Sequence, residues 1–163
     1  MRILLVDDHQ MVRLGLKSFF ELQDDIEEVT EATNGREGVE KALESRPDVI
    51  MMDIVMPEMS GIDATLAILK EWPEAKILIL TSYLDNEKIY PVLDAGARGY
   101  MLKTSSADEI LHAVRKVAKG EFAIETEVSK KVEYHRNHIE LYEDLTARER
   151  DILGLLAKGY ENQ

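Results

Sequence analysis

The chain has no cysteine. That absence excludes disulfides and thiolate-held metals, and it fits a reducing interior. No apolar run approaches the roughly 18 residues that a helical membrane span needs, and the N-terminus lacks the charged, apolar and cleavable parts of a secretory signal. Positive charge is scarce: 20 Lys and Arg stand against 32 Asp and Glu, for a formal charge of -12. The deficit runs through the chain, with 14 basic against 22 acidic residues up to Gly120 and 6 against 10 from Glu121 onward. Neither part carries the clustered Lys and Arg on which a phosphate-backbone binder draws, so the excess reads as solubilising surface charge. The expectation is a cytoplasmic protein with no membrane partner. At 163 residues it has room for one α/β domain and a small appendage.

Short apolar runs at 2–6, 27–31, 49–52, 76–81 and 99–102 alternate with segments whose apolar residues recur every three or four positions, at about 10–21, 34–45, 61–71, 85–95 and 106–119. This βαβ rhythm predicts a doubly wound α/β fold with a five-stranded parallel sheet in the flavodoxin-like order 2-1-3-4-5 and a helical C-terminal extension. Pro47, Pro73, Gly96 and Gly120 mark helix stops. The first, third and fourth runs lack polar alternation, as strands covered on both faces do. The domain is expected to span 1–120, with a charged linker helix within 121–144. Thr146-Ala147-Arg148-Glu149 then reads as a capping box that opens a further helix within 145–163.

Acidic and basic residues stand where the strands should end. Asp7-Asp8 follow Ile3-Leu4-Leu5-Val6, Asp53 follows Val49-Ile50-Met51-Met52, and Lys103 follows Gly99-Tyr100-Met101-Leu102. An open parallel sheet binds ligands at its carboxyl ends, so these distant residues can share one crevice. Two full charges about 5 Å apart repel by roughly 3 kcal/mol at an effective dielectric near 20, and a divalent cation removes that cost. All-oxygen donors favour Mg2+, with Mn2+ also possible, over zinc. A carboxylate can attack phosphorus to give an aspartyl phosphate, and Asp53 is the best placed. The cation, Lys103 and the Thr81 hydroxyl would neutralise the transferring group.

The order Asp7-Asp8, Met52-Asp53-Ile54-Val55-Met56-Pro57 with Ser60-Gly61, Leu80-Thr81-Ser82 and Gly99-Tyr100-Met101-Leu102-Lys103 resembles the receiver domain of two-component response regulators over residues 1 to about 120. The resemblance implies that Asp53 is the phosphoacceptor, that Asp8 binds the metal directly and Asp7 largely through water, and that Val55 contributes its backbone carbonyl. Lys103 and Thr81 would contact the phosphoryl group, and Thr81 with Tyr100 would form the switch. It also implies a sensor histidine kinase as donor, homodimerisation on phosphorylation, and self-catalysed phosphorylation and dephosphorylation instead of conventional enzyme turnover. Thr104 stands where many receivers carry proline. The tail, Leu145-Thr146-Ala147-Arg148-Glu149-Arg150-Asp151-Ile152-Leu153 with Leu156-Ala157-Lys158-Gly159-Tyr160-Glu161-Asn162-Gln163, resembles the start of the helix-turn-helix DNA-binding domain of the NarL/FixJ class. Within that class the resemblance is to the LiaR and VraR type of cell-envelope stress regulators. The recognition helix would lie beyond Gln163, so transcription control through DNA is expected only of a full-length protein.

Two other readings fit the residues: a receiver-only protein that titrates a partner, and an aspartyl-phosphate phosphohydrolase acting on exogenous substrates. His9, beside the acid pair, reads as a solvent-facing helix start. His112, His135 and His138 read as surface, and Met51, Met52, Met56 and Met59 as core and loop filling. Met11, Leu14, Ile110, Leu111 and Val114 are either core or a dimer seam, with core expected for most.

Overall fold

A computed structural model describes residues 1–82 and 86–124, with the backbone alone over 86–89. The expected linker helix and DNA-binding start fall almost wholly outside these residues. The elements are β1 (Arg2–Val6), α1 (Gln10–Glu21), β2 (Glu28–Ala32), α2 (Gly35–Ser45), β3 (Val49–Met52), α3 (Gly61–Glu71), β4 (Ile77–Thr81), α4 (Asn86–Ala95), β5 (Gly99–Leu102), α5 (Ala107–Ala118) and β6 (Ala123–Ile124).

The sheet is parallel throughout, in the order β2-β1-β3-β4-β5-β6. Its first five strands follow the expected 2-1-3-4-5 order. The sixth corrects the expected strand count. β6 is too short to show a period, and it is held at the edge because Ala123 N donates to Arg98 O at 3.0 Å and Ala123 packs against the core.

Several helix limits have a local cause. Asn34, Ser60 and Ser106 cap α2, α3 and α5 by accepting from the amides of Glu37, Asp63 and Glu109. Gly96 ends α4 with φ +115, a left-handed conformation that side chains strain to adopt.

Period-two alternation divides the core. Ile3 and Leu5 of β1, Met51 of β3, Leu78 and Leu80 of β4 and Met101 of β5 pack with Phe20 of α1 and with Ile110, Leu111 and Val114 of α5. The alternate strand residues Leu4, Ile50, Met52 and Ile79 are fully buried on the other face, where α2, α3 and α4 pack side by side. Ile110, Leu111 and Val114 are therefore core, as expected of most of that set, whereas Met11 and Leu14 of α1 are 77% and 56% exposed. Met51 and Met52 are core, and His112 lies on the surface.

Candidate functional site

Register brings the site together. Val6 pairs with Met52 across β1 and β3, so the next residues, Asp7 and Asp53, leave the sheet side by side. These strands flank the point where the chain order reverses, the place at which doubly wound sheets bind ligands. Asp53 N donates to Val6 O at 2.9 Å and Asp7 N to Ala32 O at 3.1 Å, fixing both strand ends. By strand alternation Asp7, Asp53 and Lys103 extend the rows of Leu5, Met51 and Met101, so all three project to the face covered by α1 and α5.

The side chains meet. Lys103 Nζ lies 2.7 Å from Asp7 Oδ2 and 3.2 Å from Asp53 Oδ2. Ile54 N donates to Asp53 Oδ1 at 2.8 Å, which leaves Oδ2 turned to the lysine. Both carboxylates are buried, at 5% and 4% exposure, while Asp8 at the rim is a third exposed. Burial and the neighbouring Asp7 charge raise the pKa of Asp53 above its ordinary value, and the ammonium of Lys103 opposes them.

The backbone around Asp53 is packed closely. Gly61 N donates to Ile54 O at 2.7 Å, and a Cβ on Gly61 would fall inside the Asp53 carbonyl. Only glycine permits α3 to begin this near the end of β3. Arg13 braces the other side by donating from Nη1 to Asp7 O at 2.7 Å and from Nε to Glu31 Oε1 at 3.2 Å.

Thr81 and Tyr100 are buried, at 1% and 0% exposure. Alternation places both with Ile79 on the face opposite the carboxylates, and Ile79 pairs with Tyr100 and Thr81 with Leu102. They share one face of the sheet, diagonal to each other on the adjacent strands β4 and β5. Val55 is exposed in the loop after β3.

His9 is the exposed start of α1, as expected, and it also reaches the acids. It is 59% exposed, yet its Nδ1 lies 2.9 Å from Asp7 Oδ1, 3.2 Å from Asp8 Oδ1 and 3.8 Å from Asp53 Oδ2, and 3.2 Å from Lys103 Nζ. Its amide donates to Asp7 Oδ1 at 2.8 Å, a turn that directs the chain back over the acids before α1 starts. Its adjacency to the Asp pair was the only signal in the sequence, because the turn that aims the ring depends on the strand end.

Asp7, Asp8, His9 and Asp53 each offer a donor atom within 4.8 Å of the others, so this group could hold a metal ion. Three carboxylates against the single ammonium of Lys103 leave two formal negative charges, which suits a divalent cation. Among the described residues no helix is long and apolar enough to cross a membrane.

Comparison with known proteins gives a consistent result. Residues 3–115 match the response regulator receiver domain. Over 163 residues the chain is 48% identical to the response regulator protein VraR of Staphylococcus aureus strain COL, covering 99% of this chain and 78% of that protein. A two-component response regulator of the LuxR family from Aurantimonas sp. SI85-9A1 superposes with a TM-score of 0.77 at 32% identity, covering 83% of this chain and 96% of that one. The response regulator domain of Thermotoga maritima CheB superposes with a TM-score of 0.67 at 33% identity, covering 73% and 96%.

Proposed function

The chain belongs to the response regulator receiver domain family, and from that premise we propose that it is a phosphorylation-controlled switch in which Asp53 accepts a phosphoryl group from the phosphohistidine of a sensor kinase. The observation that carries this reading is the buried Asp53 carboxylate, with Oδ1 held by Ile54 N and Oδ2 facing Lys103 Nζ at 3.2 Å. Oδ2 is the attacking atom. It forms the new P–O bond as the P–N bond to the donor imidazole breaks, and the imidazole nitrogen keeps the bonding pair.

Asp7, Asp8 and Asp53, with the Val55 carbonyl, would hold Mg2+ or Mn2+, and such a cation supplies neutralisation of the phosphoryl oxygens during transfer. Lys103 shifts from balancing Asp7 and Asp53 to pairing with a phosphoryl oxygen. The Thr81 hydroxyl, at the end of β4, would turn toward the same group, and the ring of Tyr100, on the same face of the sheet, would follow the space it leaves. Coupling Thr81 to Tyr100 carries a change at the carboxylate end of the sheet to the surface near α4 and β5, shifting an inactive–active equilibrium.

The outcome is receiver homodimerisation and, in a full-length cytoplasmic protein with a complete DNA-binding domain, control of transcription. In this reading residues 1–120 form the phosphoacceptor domain, 121–144 the linker and 145–163 the start of the DNA-binding domain. The chain is a phosphoacceptor that catalyses its own phosphorylation and dephosphorylation. Treatment with acetyl phosphate and Mg2+ should label the protein once, at Asp53, with no label in Asp53→Ala by phosphate-affinity electrophoresis and peptide mass mapping. Equal labelling of Asp53→Ala would refute the assignment, and continued turnover of a phosphomonoester would make the protein a phosphohydrolase.

A further inference from the structure

His9 Nδ1 lies within hydrogen-bonding reach of two carboxylates and an ammonium. A ring nitrogen carries either a proton or a lone pair. With a proton it donates to Asp7 Oδ1 at 2.9 Å, beside the Lys103 ammonium at 3.2 Å. With a lone pair it can accept from Lys103, but it then faces the oxygens of Asp7 and Asp8 at 2.9 and 3.2 Å. Several electron-rich atoms converging on one point are satisfied together by a metal ion. Adjacent donors on an octahedral ion with bonds of about 2.1 Å lie roughly 3 Å apart, the spacing seen from Nδ1 to Asp7 and Asp8.

We propose that His9 is a nitrogen donor to the divalent cation of the acid cluster, and that it biases the site toward first-row transition ions over Mg2+. The inference rests on the reading of the cluster as a cation site and goes beyond it, since carboxylates and a carbonyl alone make an all-oxygen site. Nitrogen changes selectivity because imidazole strengthens binding along the series from Mn2+ to Co2+ and Ni2+, while Mg2+ retains its preference for oxygen and water. The position of the ring is built in: the amide of His9 is tied to Asp7 Oδ1 at 2.8 Å and the residue forms the N-cap of α1. Its exposure means that replacing it removes a donor without opening the core.

The test is electron spin-echo spectroscopy of Mn2+ bound to the full chain, with Co2+ and Mg2+ affinities measured by calorimetry. Wild-type protein should give a nitrogen modulation of coordinated imidazole that His9→Ala and His9→Asn both lose. In both variants Co2+ affinity should fall by about tenfold while Mg2+ affinity changes by less than about twofold. Bound Mn2+ without nitrogen modulation in the wild type, or equal losses for Co2+ and Mg2+, overturns the role of His9 and leaves the phosphoacceptor reading standing. Failure to bind Mn2+ at all overturns both.

Discussion

At the scale of single residues, the site holds like charges at a distance that folding must tolerate. Asp53 is buried beside Asp7 and relieved only in part by Lys103, so its carboxyl titrates above the ordinary value of 3.8. A raised carboxyl favours the protonated folded state. Its stabilising contribution is full below pH 3.8 and is lost as pH rises through the folded pKa. Asp53→Asn has no such titration. In EDTA at pH 8 the variant should therefore be more stable than wild type, by on the order of 1 kcal/mol, and the gap should close as pH falls toward 3.8. Urea denaturation across pH measures this, and a gap that widens on acidification would contradict it. Glu37 works in the opposite sense. Lys41, and then the Thr33 amide, lower its pKa to about 2, so its contribution is present above pH 4.5 and fades as pH falls from there toward 2. The two effects are separable because Asn34 and Glu37 belong to the start of α2, far from the acid cluster in sequence and in hydrogen bonding.

At the scale of elements, the closest packing in the site is between the end of β3 and the start of α3. Gly61 has no room for a Cβ beside the Asp53 carbonyl, and the obstruction is backbone, which cannot rotate away. Gly61→Ala should cost about 3 kcal/mol by denaturation, and it should slow phosphorylation by acetyl phosphate because α3 must back away from the strand that presents Asp53. Normal stability in this variant would mean that the β3–α3 junction is looser than its geometry indicates. The same junction explains what the sequence discloses. Buried strands read as unbroken apolar runs, and capping residues and glycines mark helix limits, so β1 to β5 and α1 to α5 were legible within a residue or two. The pairing of Asp7 with Asp53 was legible for the same reason, since both follow such runs directly. β6 was not, because two residues have no period and its strand state comes from pairing with β5. His9 was not, because its ring is aimed by a hydrogen bond to a carboxylate whose own place depends on the sheet. The opposite-face placement of Thr81 and Tyr100 was implicit in strand parity, yet needed the register of β4 with β5 to fix it.

At the scale of the whole molecule, the question is which surface reports the state of the site. α1 begins directly after Asp7, Asp8 and His9, and it presents Met11 and Leu14 to solvent at 77% and 56% exposure. Val12, Leu16 and Ile110 line a groove beside them that reaches Lys103 and Ser105. A surface that joins Lys103, which faces Asp53, to exposed apolar side chains is suited to sensing the charge at Asp53 and to being covered when two receivers associate. Burying a methionine or leucine fully contributes about 1.5–3 kcal/mol, whereas placing a carboxylate there would oppose closure. With beryllofluoride and Mg2+ the wild-type chain should shift from monomer to dimer in sedimentation velocity. Met11→Glu should remain monomeric while keeping wild-type thermal stability and normal labelling of Asp53 by acetyl phosphate. Retained labelling separates a lost interface from a damaged site, because Met11 is exposed and the carboxylates are held by Lys103, Ile54 and His9. A Met11→Glu protein that dimerises as wild type does would move the dimer interface away from α1, to the α4–β5 side proposed above to respond through Thr81 and Tyr100.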